Sequence, residues 1–124
     1  MADFEATFAT LRGVLDKHSK RLRLGADTET SYSARGRVPS PFPQHKGKPM
    51  WFGEVRLGKA YVSFHLMPLY MNPALEKNIS VALKKRMQGK ACFNFTQPPE
   101  HELLCELERL TDTGIADWTT KGWI

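Results

Sequence analysis

Two short runs constrain the fold more than anything else in the chain. In "YVSFHLM", residues 61–67, Val62, Phe64 and Leu66 alternate with Tyr61, Ser63 and His65; in "ACFNF", residues 91–95, Ala91, Phe93 and Phe95 alternate with Cys92 and Asn94. Successive side chains of a β-strand point to opposite faces, so each run has one apolar and one polar face. A sheet of such strands is covered on one side and open on the other.

The covering is available as helices. Phe4, Phe8, Leu11, Leu15, His18 and Leu22 recur at steps of four and three, which sets them on one helical stripe. Asp3 is placed to cap this helix, and Gly25 is expected to provide its exit. A second long helix should follow Pro98 and Pro99, with Leu103, Leu104, Leu107 and Leu110 buried and Gly114 as its stop. The apolar tail with Ile115, Trp118 and Trp123 is expected to dock rather than hang free.

Between these helices the residues read in order. "TSYSARGR" suggests a modest strand near residues 29–36. Pro39, Pro41, Pro43 and Pro49 break the next segment into a loop, because proline fixes φ and lacks an amide donor. "MWFGEVRLGKAYVSFHLM" has the composition of a hairpin, with Gly58 expected at a positive-φ turn position. Asn72-Pro73 and Ser80 are positioned to start short helical segments, the second ending at Gly89. Helix, three strands, short helices, strand and helix make an α+β domain: a mostly antiparallel sheet of about four strands with helices packed on one face. The length of 124 residues fits one domain.

The open face is where a site is expected. It gathers Tyr61, Ser63, His65, Cys92 and Asn94, with Trp51 or Phe42 from the proline-rich segment as a lid. A concave surface with a few convergent polar groups suits a small ligand. A net charge of +5 favours an anionic one. A second pattern, His101 and Cys105 four residues apart with Glu108 nearby, puts imidazole and thiol on one helix face; a solvated surface or a soft-metal pair would both have this spacing. Glu102, Glu106 and Arg109 read as an exposed charge network. His18 reads as a partly buried structural histidine and the methionines as adaptable packing.

No phosphate-cradling glycine loop, nucleophile elbow or H-E-x-x-H pair is present. A non-enzymatic binding domain without a cofactor is therefore expected, with an unidentified anionic or aromatic small molecule, or a protein, as partner. Two cysteines without a disulfide framework suit reduced thiols in a cytoplasm, and neither a leader peptide nor a membrane span is expected. The basic residues Arg35, Arg37, Lys46 and Lys48 leave weak nucleic-acid binding as a further reading.

Over "YVSFHLMPLYMNPALEKNISVALKKRMQGKACFNF", residues 61–95, the chain resembles the YdhG-like family of small bacterial domains, domain of unknown function 1801. The likeness continues more weakly into "LLCELERLTDTG" and the first helix. It implies an α+β fold and a bacterial cytoplasmic protein. Some members of the wider family are described as frataxin-like, which implies an iron or metal chaperone as an alternative function.

Overall fold

Asp3 caps the first helix as its position requires: its carboxylate accepts from the Ala6 amide at 3.0 Å in the computed structural model, which describes residues 3–77 and 79–124. Helix α1 (Phe4–Asp16) is followed by five strands, β1 (Arg23–Asp27), β2 (Ser31–Arg35), β3 (Trp51–Leu57), β4 (Val62–Leu66) and β5 (Cys92–Phe95). Short helices α2 (Met67–Met71) and α3 (Val81–Lys84) lie between β4 and β5, and α4 (His101–Lys121) closes the chain. The strands form one antiparallel sheet in the order β1-β2-β3-β4-β5. The architecture is α+β, with one strand more than the sequence suggested.

That extra strand is β1. The first helix stops at Asp16, and its last predicted stripe members fall in the turn beyond, where Leu22 remains buried and His18 Nε2 meets Asp112 on α4 at 2.8 Å. Gly25 is not the helix exit; it lies inside β1, where a Cβ would come within 2.6 Å of Ser33 Oγ. The close approach lets Ser33 Oγ accept from the Ala26 amide at 2.8 Å across an irregularity in the ladder.

The alternation in β4 and β5 holds. Val62, Phe64, Phe93 and Phe95 are buried and face the helices, and the register sets Val62 opposite Phe95 and Phe64 opposite Phe93. Leu15 of α1 reaches Gly53, and Trp118 of α4 meets Phe52 edge-on at 5.2 Å, so both long helices lie on the same side. The β3–β4 hairpin forms as expected, but Gly58 does not adopt positive φ; its amide bonds to Tyr61 O at 3.0 Å instead.

Four expectations about the second half change. The helix after Ser80 ends at Lys84 rather than at Gly89. Gly114 does not stop α4, which runs on to Lys121 and ends at Gly122 with φ +76°. Gly114 is buried because a Cβ there would sit 2.9 Å from Pro68 Cγ on α2. The apolar tail therefore docks mainly as helix, with Ile115 and Trp118 in the core and Trp123 edge-on to Trp118 at 5.7 Å. Glu106 is no part of an exposed network: it is buried and accepts from both the amide (2.7 Å) and the hydroxyl (2.6 Å) of Ser80. Ser80 in turn caps α3 by accepting from the Leu83 amide, so a helix cap and a buried carboxylate lock α3 to α4. Asn72 precedes a single 3-10 turn, Pro73–Glu76, without capping it; its amide donates to Asp117 instead.

Candidate functional site

The polar positions of β4 and β5 come together as the alternation requires. Ser63 pairs with Asn94 and His65 with Cys92 across the ladder. His65 Nε2 and Cys92 Sγ are 3.5 Å apart; the thiol also lies 3.4 Å from Asn94 Oδ1, and the Asn94 amide donates to Gln88 at 2.7 Å. Gln88 belongs to a segment that shields the outer edge of β5, where its amide bonds to Cys92 O and Met87 bridges to Phe93. The backbone at this corner is therefore fixed on both sides.

Burial dominates the electrostatics of the pair. It pushes the His65 imidazole below its ordinary pKa, with Glu54 opposing and Arg56 assisting. It pushes the Cys92 thiol up, partly offset by a hydrogen bond from Ser63. Both side chains are thus held toward their neutral forms, which is not the thiolate–imidazolium arrangement of a cysteine nucleophile.

Trp51 joins this face through a defect in β3. Ala34 pairs with Gly53, but Arg35 pairs with Trp51, so Phe52 is an extra residue in the ladder. Strict alternation from Val55 and Gly53 would send Trp51 toward the helices. The bulge lets Phe52 fill the core and leaves the Trp51 ring 5.7 Å from that of His65, tilted by 48°. Trp51 is the first residue of a strand rather than part of a loop lid. Phe42, the other lid candidate, packs edge-on against Trp123 at 5.6 Å and His45 at 5.7 Å rather than against His65.

Two shallow hollows lie here, one beside His65 and one beside Trp51. One, of about 400 Å³, is lined by Arg56, Lys59, Tyr61, Ser63 and His65. The other, of about 290 Å³, lies beyond Trp51 and is lined with Arg35, His45, Lys46 and Lys48. Tyr61 sits in the hairpin loop, 38% exposed, and lines the first hollow. Sequence reading missed Arg56 and Gln88; the hairpin alternation would have placed Arg56, while Gln88 carries no local signal.

The basic residues divide into two groups. Lys17 pairs with Glu108 at 2.8 Å, and Arg37 donates to Lys20 O at 2.8 Å, so these tie elements together. Arg35 donates to Pro49 O from the rim of the second hollow. His101 and Cys105 do meet on α4, at 3.5 Å, but among the described residues no group of three or more His, Cys, Asp or Glu is placed to hold a metal. No described helix is long and apolar enough to cross a membrane. Comparison with protein-family models, curated proteins and solved structures gives no match to this chain.

Proposed function

We propose that the outer sheet face is a non-enzymatic binding site for a small aromatic anion. The observation that carries this reading is the position of Trp51, whose indole borders His65 on one side and the hollow with Arg35, Lys46 and Lys48 on the other. A flat π surface beside several cations is complementary to an aromatic ring bearing a carboxylate, sulfonate or phosphate. Arg56 and Lys59 extend the positive charge around the first hollow. Membership of the YdhG-like family and residence in a bacterial cytoplasm belong to the same proposal, supported by residues 61–95 and the α+β architecture.

The test is NMR titration with benzoate, its neutral analogue benzamide and the non-aromatic cyclohexanecarboxylate. Benzoate should shift the Trp51 indole resonance saturably, and each analogue should bind about tenfold more weakly, a difference of about 1.4 kcal/mol. The double change Lys46→Ala with Lys48→Ala should remove the response, His65→Ala with Asn94→Ala should weaken it, and Trp51→Ala, followed through the backbone amide shifts of residues 63–65, should abolish saturable binding. Equal binding of all three compounds, or an unchanged response in the folded variants, overturns the assignment.

A further inference from the structure

His65 and Cys92 have a second property that is independent of any aromatic ligand. Their side chains project from directly paired positions on adjacent strands, and the outer edge of β5 is held by residues 86–88. Two donors on such a scaffold keep their spacing better than donors on loops. We propose that Cys92 Sγ and His65 Nε2 form a two-ligand site for a soft monovalent d10 cation of the copper(I) class, with the Trp51 indole as its aromatic wall.

The chemistry of the donor set selects the ion. Thiolate with imidazole is a soft pair, suited to copper(I) or zinc and poorly suited to magnesium, calcium or manganese. Zinc in a structural site takes four protein ligands and in a catalytic site three. Only two are present here, since no third His, Cys, Asp or Glu completes a group among the described residues. Copper(I) and silver(I) are satisfied by two donors. Charge gives the same answer: a monovalent cation on one thiolate is neutral overall, whereas a divalent one leaves a net positive charge on a half-buried face where Glu54 and Arg56 already offset one another. On binding, the Cys92 S–H bond breaks, its proton passes to solvent and a metal–sulfur bond forms. The oxidation state of the metal does not change.

The molecule contains its own comparator. His101 and Cys105 offer the same two atoms at the same 3.5 Å, but one turn apart on the surface of α4. No aromatic ring pairs with His101 among the described residues, whereas the Trp51 ring lies 5.7 Å from that of His65. The sheet pair should therefore hold the ion more tightly and report it through Trp51.

The experiment is anaerobic titration of the full chain with silver(I), and with copper(I) in competition with a chromophoric chelator. Stoichiometry is read by native mass spectrometry and site identity by tryptophan fluorescence against a Trp51→Phe control. Cys92→Ser and His65→Ala should each lower the affinity of the tighter equivalent by at least about 100-fold and abolish the Trp51 response. Cys105→Ser should leave both unchanged. Circular dichroism of each variant checks the fold, and protection of Cys92 from alkylation by silver(I) in the unaltered chain gives a readout that needs no variant. Tight binding lost only in Cys105→Ser, or no protection of Cys92 at stoichiometric silver, overturns the proposal. Benzoate binding should survive Cys92→Ser, so failure of this site and failure of the aromatic-anion reading are distinguishable.

Discussion

The two sides of β4 and β5 use the same backbone for different purposes. Toward the helices, Val62, Phe64 and Phe93 are fully buried in the core; toward the outside, Ser63, His65, Cys92 and Asn94 are half-open and touch mainly one another. The inner set is bound into a core of aromatic and branched side chains, whereas the outer set rests on a framework already made. Stability and chemistry are therefore separable here at single-residue resolution. A change on the inside should unfold the molecule, and its immediate neighbour on the outside should change only what the face can bind.

The sharpest way to break this comparison is a pair of adjacent substitutions. Phe64→Ala removes a fully buried ring from the centre of the sheet and should cost about 3–5 kcal/mol, enough to unfold a domain of marginal stability. His65→Ala, one residue along, should cost less than about 1 kcal/mol. Urea denaturation of both variants checks it. Similar losses would mean that the outer side chains also carry the fold.

Gly114 tests how closely the helix layer fits the inner face. Alanine is worth about 1 kcal/mol more than glycine inside a helix, so an isolated helix would gain from Gly114→Ala. In the folded chain the new Cβ would meet Pro68 Cγ at 2.9 Å, Pro68 Cβ at 3.1 Å and Phe52 Cζ at 3.6 Å. Neither the proline ring nor the buried Phe52 has an easy escape. Overpacking of this kind costs about 1–3 kcal/mol, so after the gain in helix propensity a net loss of up to about 2 kcal/mol is expected in thermal or urea melts. A gain would show that α4 can lift from α2 at no cost.

These positions also show what a sequence can reveal. The facing of β4 and β5 was legible because alternation is a local property: the same pattern in two runs decides which residues share a face. That His65 lies opposite Cys92 is a long-range fact of register, which a two-residue slip would change without disturbing the alternation. Gly114 was misread as a stop because its reason to be glycine lies in Pro68, forty-six residues earlier, and Glu106 was read as solvated because its partner Ser80 lies on another element. Strand β1 was missed because Arg-Leu-Gly-Ala-Asp has little strand propensity and is recruited by pairing with β2. At the site, the least legible feature was Trp51, whose direction depends on one extra residue in β3.

Tyr32 is the inner-face residue on which the division into apolar and polar sides can be examined most finely, because its ring is buried while its hydroxyl reaches Asp16 at the end of α1. Burial, then the hydrogen bond donated to Asp16 at 2.8 Å, pushes its pKa up to about 12; Arg12, over the ring at 4.6 Å, opposes this. An unfolded tyrosine titrates near pH 10. The folded state therefore holds the proton where the unfolded chain has released it, and stability must fall as pH rises. The stabilisation is complete below about pH 10 and is lost as pH climbs toward about 12. Tyr32→Phe keeps the ring and removes the titration. At neutral pH it should be less stable by about 0.5–1.5 kcal/mol for the lost hydrogen bond. Between pH 10 and about 12 the unaltered protein should lose stability faster than the variant, so that the two urea midpoints converge. If they run parallel across that window, the hydroxyl is solvated and the inner face ends in water at this corner.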